Sequence, residues 1–157
     1  LLKAGINIEV NKNILGIDTT KNLHVSQIKS QPIGIVTLYP GISTNVIKNT
    51  LQQPVKALIL LSFGVGNAPQ NASLLKQLSI ADQQGIIVLN CTQCVRGKVN
   101  MNGYANGHVL REVGVVSGQD MTPEAALAKL HYLLSKDMPP NHIKRQLIAN
   151  LRGELTE

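Results

Sequence analysis

The 157-residue chain has no tryptophan, one phenylalanine and three tyrosines. So few rings leave little for nucleic-acid bases to stack on, and stacking is a principal way single strands are held. Two cysteines are too few for a disulfide scaffold and fit a reducing cytoplasm. Long hydrophobic runs are missing as well. The longest, "ALILL" at 57–61 and "IIVL" at 86–89, fall far short of the roughly 20 apolar residues of a membrane span. Acidic residues number nine against fifteen Lys and Arg, a net charge of +6. The cations are nevertheless scattered singly, with only Lys144 and Arg145 adjacent, so no basic stripe for a phosphate backbone emerges. The expectation is a soluble, cytoplasmic protein with neither nucleic acid nor membrane as partner.

What is present is a globular composition, 43% hydrophobic and 15% charged, at a length that suits one domain. The chain opens on Leu1 without an initiator methionine and reads as a piece of something longer. Residues 1–30 are polar and weakly patterned, a linker or extended arm with at most an edge strand in "LHVSQI". From residue 31 to 157 apolar runs alternate with amphipathic segments. "IGIVTLY" (33–39), "VKALILLSF" (55–63) and "IIVLN" (86–90) read as strands. Between them, 42–52 carries Ile42, Val46, Ile47 and Leu51 on one helical face behind Ser43 or Thr44 as N-cap, and 70–84 turns Leu74, Leu75 and Leu78 inward before Gly85. A β-α-β-α-β series predicts an α/β fold, a small parallel sheet in a three-layer, Rossmann-like or flavodoxin-like sandwich. Further helices are expected near 106–113, at 122–135 with Thr122-Pro123-Glu124 as its start and Leu127, Leu130 and Leu134 as its buried stripe, and after Pro139-Pro140 with Asn141 as cap.

Ligands of such sheets bind beyond the carboxyl ends of the strands. The segments there are "YPGIS", "FGVGNAP" and "NCTQCVRGK". In the second, Gly64 and Gly66 let backbone approach a ligand and Asn67 adds an amide that donates and accepts. Pro69 breaks a dinucleotide fingerprint, and a tight turn that merely needs glycine is the plain alternative. In the third, Cys91 and Cys94 form a Cys-x-x-Cys pair, but "VRGKVNMNG" is a poor helix start for a stabilised thiolate. A zinc site would need two further ligands, and no His pair stands at suitable spacing. The pair reads as ordinary thiols, with Arg96 and Lys98 placing positive charge beside Cys94. The four histidines are isolated, no serine lies in a G-x-S-x-G context, and no catalytic set is complete.

Taken in order, "PIGIVTLYPGIS", "ALILLSFGVGNAPQN", "TQCVRGKVNMNGYANG", "DMTPEAALAKLHYLLS" and "NLRGEL" resemble the carboxyl-terminal half of bacterial cytoplasmic type I L-asparaginases, closely over residues 31–157. The resemblance implies hydrolysis of L-asparagine to L-aspartate and ammonia without metal or cofactor. Its threonine nucleophile and Thr-Asp-Lys set would lie in an amino-terminal domain outside this chain, which alone would be inactive. It implies a homo-oligomer, dimer or tetramer, in which the "GVGN" loop, through Gly66 and Asn67, serves the substrate of a neighbouring subunit, with Tyr104 in a similar interdomain loop. Allosteric relatives bind a second asparagine at a site that a cysteine matching Cys94 lines. Leu61, however, stands where those relatives carry an arginine, and leucine cannot pair with an effector carboxylate. Arg96 or Lys98 takes that role, or the effector site is weakened. The alternative is a standalone α/β module that binds an amino acid without hydrolysing it.

Overall fold

The computed structural model describes residues 2–4, 8–10, 22, 24–101 and 105–156. Two short strands, β1 (Leu2–Ala4) and β2 (Ile8–Val10), pair antiparallel, a local pairing that the weak polar pattern of this region did not signal. Residues 24–32, where "LHVSQI" offered an edge strand, hold no strand. They are instead fastened along a later helix: Lys29 N–H donates to Ser135 Oγ at 2.9 Å and Gln31 N–H to His131 Nδ1 at 3.1 Å.

The main body follows the expected series. Strands β3 (Ile33–Thr37), β4 (Ala57–Ser62) and β5 (Ile87–Thr92) alternate with helices α1 (Thr44–Thr50) and α2 (Ala72–Gln83). Then come α3 (Ala105–Glu112), a two-residue strand β6 (Val116–Ser117), α4 (Pro123–Leu134) and α5 (Pro140–Leu147). The four-stranded sheet is parallel throughout in the order β3-β4-β5-β6, with Ile59 opposite Ile35 and Leu89, and Leu89 opposite Val116. Because strands add in one direction, crossovers of one hand put the connecting helices on the same face. Strand β6 escaped the sequence reading because two residues carry no periodicity.

Alternation along the strands builds two cores. Val36, Leu58, Leu60 and Val88 face α1, α2 and Leu110 of α3, while Ala57, Ile59, Ile87 and Leu89 face α4 and α5. The central strands are therefore apolar at nearly every position, as two covered faces require. Each fully buried leucine or isoleucine contributes about 1.5–3 kcal/mol.

Helix ends follow local chemistry. Ser43, Asn71 and Thr122 cap α1, α2 and α4 through their side-chain oxygens, and Gly85 adopts φ +77° just past α2. Three expectations need correction. Val46 is exposed, because the short α1 buries little beyond Ile47 and Leu51. In α4 the buried positions are Ala126, Lys129, Leu130 and Leu133, with Leu127 and Leu134 only half-buried, so the inner face is rotated from the leucine stripe. In α5 the cap position is Pro139, and no side chain caps it, Asn141 included.

The rotation of α4 has a cause. Lys129, 6% exposed, donates from Nζ to Leu147 O at 2.9 Å and Ala149 O at 2.6 Å, and lies 2.6 Å from Glu154 Oε1. Its ammonium thus satisfies carbonyls at the end of α5, and the carboxylate neutralises it. Glu154 also accepts the N–H of Leu151 at 3.0 Å and of Arg152 at 2.6 Å. Burial alone would raise its pKa, but Lys129 and these backbone donors outweigh it and hold the carboxyl down to about 2. Among the described residues, no helix is long and apolar enough to cross a membrane.

Candidate functional site

The carboxyl end of β4 runs into a tight loop closed on itself. Phe63 N–H donates to Asn67 O at 2.9 Å, while Gly66 N–H and Asn67 N–H return to Phe63 O at 3.0 and 2.8 Å. Gly66 sits at φ +104°, and a Cβ there would lie 2.6 Å from Val99 Cγ1. Both the conformation and the close approach therefore require glycine.

Three consecutive carbonyls of this loop are taken by donors from elsewhere. Thr92 Oγ1 donates to Gly64 O, Asn100 N–H to Val65 O at 2.8 Å, and Asn90 Nδ2 to Gly66 O at 2.9 Å. Asn90 is fully buried, and its Oδ1 finds no partner among the described residues. An unmet buried acceptor is costly, so this amide is a price accepted for the bond its nitrogen makes. Asn67 itself is half-buried, and its side chain makes no hydrogen bond to another described residue. Every carbonyl from Phe63 to Asn67 is engaged, and the Asn67 side-chain amide is left to meet something else.

The next loop is pinned in the same manner. Gln93 Nε2 donates to both Leu38 O and Leu61 O at 2.7 Å, tying the ends of β3 and β4 to the residue after β5. Cys94 N–H donates to Thr92 Oγ1 at 3.0 Å, and residues 93–98 are exposed, Val95 completely. Of the residues named from sequence, Gly66 and Asn67 share the first loop, and Cys94 and Arg96 share the second. Leu61 stands near the end of β4, paired with Cys91, with its side chain half-buried against the α4–α5 core. Tyr104 falls outside the described residues. Sequence reading missed Asn90, Thr92 and Gln93; three polar residues in and just after an apolar strand were the available signal.

Cys91 is fully buried, and burial pushes its thiol up to about 12, whereas Cys94 is exposed. A thiol that stays protonated is a poor nucleophile. The two cysteines therefore stand in different environments rather than forming one centre.

The chain resembles known proteins along its length. Residues 32–147 match the Glutaminase/Asparaginase C-terminal domain family. The chain is 54% identical to L-asparaginase 1 of Escherichia coli over 156 residues, which cover 99% of this chain and 46% of that protein. It is 39% identical to a mouse 60 kDa lysophospholipase over 99% of this chain and 28% of that protein. The crystal structure of L-asparaginase I from Vibrio cholerae superposes with a TM-score of 0.89 at 57% identity, over the whole of this chain and 48% of that one. The chain thus spans about half the length of the L-asparaginases it matches or less.

Proposed function

The chain belongs to the Glutaminase/Asparaginase C-terminal domain family, and from that premise we propose that it serves as the carboxyl-terminal domain of a cytoplasmic, homo-oligomeric enzyme that hydrolyses L-asparagine to L-aspartate and ammonia. Identity of 54–57% to asparaginases over the full chain favours that substrate over the chemistry named for the 39% relative. The observation that carries the proposal is the loop Gly64–Asn67. Its backbone groups are immobilised from three directions, while the Asn67 amide is held by no described neighbour. Such a group presents a fixed donor and acceptor pair to the polar substrate of an adjoining subunit. In this reading residues 1–30 connect two domains and residues 31–157 form the second.

The residues that would attack the amide carbon belong to another domain. This chain's part is to position the substrate and to form the interface. Hydrogen bonds contributed by Asn67 would strengthen as charge develops on the substrate, which is how a remote residue lowers a barrier. Cys94 and Arg96, exposed beside the end of β4, are the residues proposed to meet an effector. The apolar packing of Leu61 supports a weak effector response, since position 61 offers no charge to a carboxylate.

The test is ammonia release from L-asparagine by the enzyme containing this domain. Asn67→Ala is expected to lower turnover about ten-fold, the worth of one hydrogen bond to the transition state, at unchanged melting temperature. Unaltered kinetics would remove Asn67 from the reaction. Asparagine saturation is expected to be nearly hyperbolic, and a steep sigmoid would refute the weak effector response.

A further inference from the structure

Cations that are scattered in the sequence converge at the free edge of the sheet. Beyond β6 lies a cleft of about 560 Å³, within the range of small-molecule sites. Lys98, Arg111, Lys144 and Arg145 all line it. At fifteen Lys and Arg in 157 residues, chance would place about one among its twelve lining residues; there are four, with no Asp or Glu. Lys144 is paired with Asp82, which does not line the cleft, and no described carboxylate pairs with Lys98 or Arg145.

The walls are stitched together rather than juxtaposed. Val99 N–H donates to Gln119 O at 2.8 Å, Gln119 N–H to Ser117 Oγ at 3.1 Å, and Gln119 Nε2 to Ile148 O at 3.1 Å. These bonds fix the segment bearing Lys98 to the turn after β6, and that turn to the end of α5 just past Arg145. Val99, Met101 and Val116 supply an apolar floor.

We infer that this cleft binds a small organic phosphate, its oxyanion held by Lys98 and Arg145 with Arg111 and Lys144 at the rim, and its body resting on the apolar floor. Charge decides the class. An amino acid such as asparagine is a zwitterion without net charge and gains little from several cations, whereas a phosphate monoester carries nearly two negative charges at neutral pH. Guanidinium and ammonium groups together match phosphate in fork geometry and in charge.

The test is titration calorimetry on the intact protein with adenosine 5′-monophosphate, inorganic pyrophosphate and adenosine. The expected result is saturable binding of the monophosphate and of pyrophosphate that weakens as salt is raised, and none of adenosine. Lys98→Glu combined with Arg145→Glu, both at exposed positions, is expected to keep the melting temperature and to weaken phosphate binding by at least about ten-fold. Failure of both phosphates to bind at millimolar concentration overturns the inference, as does binding that survives the double charge reversal. Displacement of the monophosphate by L-asparagine would assign it to the substrate site instead. Binding of a short oligonucleotide but of neither small phosphate would equally refute the assignment.

Discussion

The two faces of the sheet bury polar groups for different ends. Toward α1, α2 and α3 the buried Asn90 reaches the loop after β4 and shapes it. Toward α4 and α5 the buried Lys129 joins the end of one helix to the segment that follows it. Polarity on the first face shapes the loop of the proposed site at the sheet's carboxyl end, while on the second it serves cohesion. Substitutions of comparable burial should therefore damage different properties on the two faces.

The largest effect is expected from Glu154→Ala, which strands the Lys129 ammonium in a nearly closed environment. Loss of about 3–5 kcal/mol in urea unfolding is expected, with hydrogen exchange rising first in α4 and α5. The same pair sets a pH dependence. Because the folded pKa of Glu154 is depressed from 4.5 to about 2, its stabilisation is complete above the unfolded value and is lost as pH falls through that interval. A urea midpoint that stays flat from pH 6 to roughly 2.5 would remove the ion pair from the account.

On the other face Gly66→Ala comes next. The left-handed conformation and the Val99 contact predict a cost of about 1–3 kcal/mol together with loss of the proposed asparagine hydrolysis by the enzyme containing this domain. Asn90→Ala should be milder in stability, about 1–2 kcal/mol, because one unmet acceptor disappears while Gly66 O becomes another. Its turnover should nonetheless fall by more than that of a variant on the α4 face of equal stability. Equal turnover in the two would erase the functional contrast. The smallest perturbation is chemical: a maleimide reagent should label Cys94 in the native protein and leave Cys91 untouched until unfolding, as read by mass spectrometry.

These differences explain what was legible in the sequence. The order β3-α1-β4-α2-β5, the Ser43 and Thr122 caps and the Gly85 stop are local, so apolar runs and capping residues announced them. The buried face of α4 was misjudged because Lys129 belongs inside only once Glu154 neutralises it, and no periodicity encodes a distant partner. The glycine loop was visible as a motif, yet what rigidifies it was not. Asn90 and Thr92 act on residues well before them in the chain, across a strand pairing that sequence does not display. The basic cleft was hidden for the same reason, its cations arriving on three separate segments.

The Lys129 clamp also bears on how the molecule is made. As the chain emerges from the ribosome, α4 is synthesised well before Glu154, and until that carboxylate appears its ammonium stays in water. The first face can close on a nascent chain, since its helices all precede β6, but the second must wait. Synthesis order therefore leaves the α4 side of the sheet open longest, and that interval is when a chaperone, or another part of the same polypeptide, has access to it.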